Sequence, residues 1–280
     1  MIRPDVLGEL KDGAAGLVTL SELLASRRIG PKAIAGALPS AGDACAGIAS
    51  AISVVASDVL SACGDDASAR REVRATFDRA ETSVRALEVE LAAAIHTPGE
   101  AKTRLVLERA ANAASSNVAS SLFVAELFAF ASSPRVVSIH VADVLGFGPS
   151  IADGPQVIRA TLDAPPGPVA TTDARLLRAL VELAVQIVAA AGVSAPHVQV
   201  TGSEQDGARI RVGTAPTPLP PSSMSFGQRR APRAPPPVAT LSTRRLAWFE
   251  SAPAIARAAA AIAGADVTID PGGRGVTIVF

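Results

Sequence analysis

Tyrosine is absent from these 280 residues, tryptophan occurs once, and aromatic residues make up 3% of the chain. Because 49% of the residues are nevertheless hydrophobic, the core has to be built from Ala, Leu, Val and Ile. That palette suits helices packed at close backbone approach. The shortage of aromatics also removes the stacking side chains that nucleic-acid binding draws on, and no recognition-helix pattern replaces them. Formal net charge is zero, so there is no whole-molecule attraction to nucleic acid or to an anionic membrane. Lysine is confined to Lys11, Lys32 and Lys102, and arginine supplies nearly all the positive charge.

Cysteine is almost absent as well. Cys45 and Cys63 are the only two, too few for a disulfide framework, and they read as reduced, buried thiols of a cytoplasmic protein. The first residues carry Asp5, Glu9 and Asp12 where a secretory signal needs an apolar run. The best candidate for a membrane span, Ala44 to Ala62, is flanked by Asp43, interrupted by Asp58 and dominated by small residues. It reads as a buried helix. The chain is expected to be soluble, cytoplasmic and free of membrane contact.

Histidine is scarce too. His96, His140 and His197 lie far apart, without carboxylate or cysteine neighbours, so no metal site and no bound cofactor are expected. No serine sits in a nucleophile-elbow pattern. Gly146-Phe-Gly148 and Pro271-Gly-Gly-Arg-Gly275 lack the Lys-Ser/Thr helix start of a phosphate loop and read as turns.

What is present is helical periodicity, followed by a change of pattern. Leu7, Leu10, Leu17, Leu20, Leu23 and Leu24 recur at helical steps, although Gly13 and Gly16 weaken a single continuous helix. Gly30-Pro31 and Pro39-Ser-Ala-Gly42 read as breaks, with a second helix from Asp43 to Cys63 carrying Ile48, Ile52, Val55, Val59 and Leu60. Residues 1–64 are therefore expected as an N-terminal helical segment. Ala67 to Ile95 shows one stripe of Val73, Phe77, Val84, Leu87 and Leu91. Thr97-Pro98-Gly99 turns the chain into a second arm, Glu100 to Ala131, with Leu105, Leu107, Val118, Leu122, Leu127 and Phe128. Residues 65–134 thus predict an antiparallel hairpin with arms of about 45 Å. A lone hairpin cannot bury both faces, so it should complete a four-helix bundle with the N-terminal helices or with a second copy. Val84, Leu87, Leu91, Leu122 and Leu127 are the expected homodimer face.

After Ser132-Ser-Pro134 the chain turns to alternating patterns. Val136 to Val141 and Gln156 to Leu162 are strand-like, Asp173 to Ala191 is helical, and Val198–Thr201 with Ala208–Val212 predict a hairpin around Gln205-Asp-Gly207. Residues 215–237 are crowded with proline and exclude regular structure. An Ala-rich helix, Ala252 to Ala263, and a ribbon, Ala265 to Phe280, close the chain. The overall expectation is α+β: an all-helical N-terminal part, and an α/β sandwich over residues 135–280 with a Pro/Arg-rich loop at 214–245.

This order of elements resembles a histidine kinase: a helical dimerisation hairpin followed by a GHKL-type ATPase domain. The likeness covers residues 67 onward. It is carried by the hairpin end Phe123-Val-Ala-Glu-Leu-Phe-Ala-Phe-Ala131, the junction from Pro134 to Leu145, the Asp163-Ala-Pro-Pro-Gly-Pro lead into the 173–191 helix, and the closing ribbon. The resemblance implies positions for ATP contacts, and the residues there depart from the family. Its two metal-facing helix positions, one turn apart, are Glu182 and Gln186 here, and residues 136–280 contain no asparagine. Where the adenine-binding Asp-x-Gly-x-Gly loop should follow Ile210-Arg-Val212, the chain reads Gly213-Thr-Ala-Pro-Thr-Pro218. Where a glycine-rich phosphate loop should precede the last helix, it reads Trp248-Phe-Glu-Ser-Ala-Pro253. The segment matching the phosphoacceptor site, Phe77-Asp-Arg-Ala-Glu-Thr-Ser-Val84, has Glu81 but no histidine.

The implied reading is a pseudokinase: no enzyme activity, no catalytic residue, and a vestigial nucleotide pocket at Glu182 and Gln186. No acid occurs between Asp206 and Glu250, so Arg229, Arg230, Arg233, Arg244 and Arg245 form a locally basic loop where the kinase lid would lie. They are the expected contact for a protein partner, such as a response-regulator receiver or a sensor kinase. Two alternatives stay open: a phosphotransferase working through an atypical acceptor, and a scaffold that assembles a larger complex.

Overall fold

The computed structural model describes residues 2–26, 30–95, 101–146, 157–203, 205–215, 239–244, 246 and 252–280. The chain is a mixed α+β protein that divides into two units, residues 1–134 with 246–263, and residues 135–245 with 264–280.

The first unit contains four long helices, α1 (Pro4–Ala25), α2 (Pro31–Ala62), α3 (Ala67–Ala94) and α4 (Ala101–Ser132). Neighbours in sequence pack on one another, and α4 returns to α1. The cause is a heptad spacing of apolar residues. In α3 the buried series is Val73, Phe77, Ala80, Val84, Leu87, Leu91 and Ala94; in α4 it is Leu107, Ala111, Ala114, Val118, Ser121, Ala125 and Phe128. Alternating steps of four and three keep one stripe facing the neighbours over the whole length. Small residues on α4 let the backbones approach. The buried Ser120 and Ser121 hydroxyls are satisfied within their own helix, donating to the Ser116 and Val118 carbonyls at 3.0 and 2.9 Å.

The helix ends are tied down by side chains. The Asp66 carboxylate caps α3 by accepting from the Ala69 N–H at 2.9 Å. The Arg104 guanidinium on α4 donates to the Leu24 carbonyl at 2.8 Å and also to the Ser26 carbonyl, closing the C-terminus of α1. Lys11 and Glu126, 2.7 Å apart, join α1 to α4, and the Arg3 side chain bonds Asp58 at the far end of α2.

Three expectations from the sequence change here. α1 is continuous through Gly13 and Gly16, with Leu10, Leu17 and Leu24 buried at seven-residue steps. α2 runs unbroken through Pro39–Gly42. Pro39 is exposed, so the Ala35 carbonyl that loses its helical partner lies on the outer side, while Ile34, Leu38, Cys45, Ile48, Ile52, Val55 and Val59 stay buried in one stripe across it. Residues 1–64 and 65–134 accordingly belong to one unit. The third change concerns a seventh helix, α7 (Ala252–Ile262), expected with the C-terminal sandwich. It falls in the first unit, packed against α3 and α4.

Among the described residues, Lys32–Ala62 and Ala101–Ser132 are long and apolar enough to cross a membrane by length and composition. Both carry the inward stripe just described. Cys45 and Cys63 are free and buried, and burial, helped by Glu88 and Asp66 respectively, pushes both thiols up to about 11.

The second unit is built on a mixed sheet. Its strands are β2 (Val157–Asp163), β4 (His197–Ser203), β5 (Gly207–Gly213), β6 (Ala239–Arg244), β7 (Asp266–Ile269) and β8 (Val276–Val279), in the order β6-β2-β4-β5-β8-β7. Only β2 and β4 run parallel. Alternation decides the faces. Ile158, Ala160, Leu162, Val198, Val200, Ala208, Ile210, Val212 and Ile278 point to the buried side, while Arg159, Thr161, Thr201, Arg209 and Arg211 remain exposed. Helix α6 (Ala174–Ala190) packs on β2, β5 and β8. A separate antiparallel pair joins β1 (Val137–His140) to β3 (Val169–Thr172), and the short helix α5 (Val141–Gly146) leads away from it.

The β4–β5 turn depends on Gly202, at φ +124°, where a Cβ would meet the Gly207 carbonyl oxygen at 2.0 Å. The Ser203 hydroxyl holds the same turn, accepting from the Gln205 and Asp206 N–H groups and donating to the Asp206 carboxylate at 2.8 Å.

Candidate functional site

The sequence points to one face of α6, so the residues there decide what the second unit can do. Asp173 starts the helix. Its carboxylate is 2% exposed and accepts from the Arg175 N–H at 2.8 Å, from the Arg175 guanidinium at 2.6 Å, and from the main-chain N–H of Arg135 at 2.8 Å. Burial pushes its pKa up, but these bonds outweigh burial and hold it at about 2. The carboxylate is fully spent on locking the start of α6 to the chain that leads into β1. This residue was read from the sequence only as a helix boundary.

One turn further on, the Arg178 guanidinium donates to the Glu182 carboxylate at 2.8 Å and to the Val144 carbonyl of α5 at 3.3 Å. Both side chains of the ion pair are about one-fifth exposed. Glu182 is thus engaged along its own helix.

The next turn carries Gln186, which is buried, and whose amide donates to the Thr243 hydroxyl of β6 at 3.4 Å. Thr243 is itself buried. The pair is a polar strut between α6 and the edge strand, in a place where an unmade hydrogen bond would be costly. The structure therefore brings Glu182 and Gln186 to successive turns of one helix, and hands each to an internal partner.

The remaining positions of the implied pocket are no better supplied. Gly213 ends β5 with its Cα position backed by the Arg274 carbonyl, where a Cβ would sit 3.4 Å away, and Thr214 and Ala215 follow without a carboxylate. A magnesium–nucleotide needs oxygen ligands free to turn toward it. A glutamine in an internal hydrogen bond and a glutamate held by an arginine do not fit that role.

Of the expected partner contacts, Arg229, Arg230, Arg233 and Arg245 lie outside the described residues. Arg244 ends β6, pairing with Val157, and its side chain is outside the description. The expected dimer face is placed differently from the expectation. Val84, Leu87, Leu91 and Leu127 are each at most 1% exposed within the chain's own first unit, and only Leu122 is partly open. Four of these five side chains are consumed by the intramolecular packing, which the N-terminal helices complete, so they are not a surface that a second copy can meet.

In the Phe77–Val84 segment, Phe77, Ala80 and Val84 point inward, and Glu81 accepts from Arg85 at 2.8 Å. His96 lies outside the described residues. His140 is exposed at the end of β1, and His197 Nδ1 lies 2.8 Å from the Thr161 hydroxyl across the parallel pair. Among the described residues no three His, Cys, Asp or Glu side chains are grouped to hold a metal.

Compared with known proteins, the chain matches no family model, no curated protein and no solved structure.

Proposed function

We propose that this chain is a non-catalytic signalling adaptor of histidine-kinase-like architecture, acting in the cytoplasm by binding a regulatory protein such as a receiver domain or a sensor kinase. On this reading the four long helices stand where that architecture carries its helical part, closed here within one chain, and the mixed sheet with α6 on one face is an ATPase-type sandwich emptied of its chemistry. The observation that carries the reading is the state of α6. Glu182 and Gln186 stand one turn apart where the resemblance expects metal ligands, and both are tied to Arg178 and Thr243 instead. The absence of histidine from the Phe77–Val84 segment supports the same conclusion from the other unit, since no phosphoryl acceptor stands where that architecture carries one.

Such a protein acts by presenting surfaces and not by turning over a substrate. Its rigid helical unit would offer a partner a fixed array of side chains. Titration of the purified chain with a fluorescent ATP analogue and magnesium tests the reading: no saturable signal is expected into the millimolar range. Micromolar, magnesium-dependent binding would sink it.

A further inference from the structure

The first unit carries an apolar groove between α1 and α2 that the preceding reading leaves unused. Its volume is about 470 Å³, within the roughly 300–1,000 Å³ of ligand pockets. The two helices touch at Gly13, where an added Cβ would meet Ile48 Cγ1 at 2.5 Å. Leu17, Cys45 and Ile48 are buried beneath the groove, and Leu20 and Ala41 are half-buried along it. Because α2 turns back along α1, the stretch from Ile48 to Ala41 faces the stretch from Gly13 to Leu20. Glu9 and Asp12 are left at one end, as its mouth.

Two glycines keep the groove open, and no packing among the described residues requires them. Gly16 and Gly47 both line it, and a Cβ added at either meets nothing within 4 Å. Glycine is a poor residue for a helix interior, so helix stability alone would favour almost any other side chain at both positions. The charge at the mouth is of one sign. Glu9 and Asp12 are exposed and enter no hydrogen bond or ion pair among the described residues, and no base lines the groove. Lys11, the only base of α1, is held 2.7 Å from Glu126 on α4.

We propose that this groove binds a small amphiphilic organic cation, with its ammonium head at Glu9 and Asp12 and its apolar tail over Gly16, Ala44 and Gly47. The lining selects that class. Two carboxylates without further oxygen ligands are too few for a calcium or magnesium ion, whereas an ammonium needs only an opposite charge beside an apolar wall. An anion is repelled at the mouth. A partner helix needs apolar anchors over several turns, but the α2 wall from Ala41 to Ile48 is about 10 Å long, or about two turns. From Asp12 to Leu20 the tail has about 12 Å to run, which suits one alkyl chain of medium length. Gaps between the helices of a bundle are a recurrent place for such ligands. The site stands whether or not the second unit binds nucleotide.

The test titrates the full chain with decyltrimethylammonium, below the concentration at which it forms micelles, and follows the heat by calorimetry. Saturable binding is expected for this cation. None is expected for decyl sulfate, which has the same tail, or for tetramethylammonium, which has only the head. Glu9→Gln/Asp12→Asn should weaken binding at least about tenfold, and Gly16→Leu/Gly47→Leu should abolish it. The glycine variant should also unfold at a higher temperature, because leucine is the better helix former and both positions open onto free space. Gly36 is another exposed glycine of α2 whose added Cβ meets nothing within 4 Å, but it lies outside the groove. Gly36→Leu should leave binding unchanged. Four outcomes overturn the proposal: no saturable binding, equal binding of decyl sulfate, affinity that either the carboxylate or the glycine variant leaves unchanged, or loss of the far-UV helix signal as the ammonium is added. Binding of a Lys-Leu helical peptide in place of the small cation overturns it as well, because the groove would then be a protein surface.

Discussion

The Asp173 carboxylate accepts the main-chain N–H of Arg135 at 2.8 Å, across 38 residues of sequence. One buried side chain therefore holds the entry to β1 against the start of α6. Because its folded pKa is depressed to about 2 from 3.8, the sign of its pH effect is fixed. The unfolded chain takes up the proton first as pH falls, so the contribution is fully present above about 4 and is lost as pH drops through 2. The difference corresponds to roughly 2 kcal/mol. Asp173→Asn keeps the shape but removes the charge and one acceptor, and should cost about 2–3 kcal/mol at neutral pH. Urea unfolding of the two proteins at pH 7 and at pH 2.5 measures it: the gap between them should narrow at the lower pH. A gap that is unchanged with pH would show that the carboxylate's charge is not what holds the entry strand.

The heptad on α3 makes a sharper claim about where stability resides. Leu87 is fully buried, whereas Val89, two residues on, is 67% exposed. Leu87→Ala should lose about 2–5 kcal/mol through the cavity it opens, and Val89→Ala should stay within about 0.5 kcal/mol of the parent. Thermal unfolding of the pair separates this packing from one in which α3 turns its leucines toward a second copy. In that arrangement the cost of Leu87→Ala would depend on protein concentration. No concentration dependence is expected.

The helical unit was legible because its signal repeats: seven inward positions on α3 obey one spacing, so no single residue had to be interpreted correctly. The strands were most legible where alternation lasted for several residues. β2, β4 and β5 show it, but β3 (Val169-Ala-Thr-Thr172) is four residues long, follows a proline cluster, and borrows its identity from pairing with β1. β6 escaped for a similar reason. Its Ala239-Thr-Leu-Ser-Thr-Arg244 run sits at the end of a proline-rich segment and becomes a strand through six cross-strand partners on β2. The placement of α7 was out of reach of local pattern altogether, since an Ala-rich stripe fits a sheet or a helix pair equally well. At the candidate site the residue identities at 182 and 186 were readable, but the engagement of Glu182 by Arg178 and of Gln186 by Thr243 was not. Thr243 is 57 residues from Gln186, and only the fold brings them together.

Pro39 marks the place where a local rule lost to packing. An interior proline removes one helical hydrogen bond and crowds the preceding turn, at a cost of about 3 kcal/mol. α2 carries that cost because Leu38 and Ile34 on one side and Cys45 and Ile48 on the other belong to a single buried stripe. Pro39→Ala should therefore stabilise the protein, by about 1–3 kcal/mol after allowing for the larger entropy of the unfolded chain. Denaturant unfolding reads this directly, as a higher midpoint with an unchanged slope. A destabilised variant would mean that the ring itself, exposed as it is, makes a contact the helix needs.

Gln186 offers the closest test of how the second unit holds its helix to its edge strand. Shortening it to asparagine supplies the residue type that the kinase resemblance would place there, but draws the amide away from the Thr243 hydroxyl. A buried hydroxyl and a buried amide then lose each other, which costs about 1–3 kcal/mol. Replacing both partners, Gln186→Leu with Thr243→Val, removes the polar groups together and should restore most of that loss, so that the double change is less than the sum of the single ones. If the contact is the strut described above, Gln186→Asn lowers the unfolding midpoint, the paired apolar variant recovers it, and neither change creates magnesium-dependent nucleotide binding. Nucleotide binding that appears in Gln186→Asn would show instead that a nucleotide pocket lies one side-chain carbon away, and would overturn the proposed reading of α6.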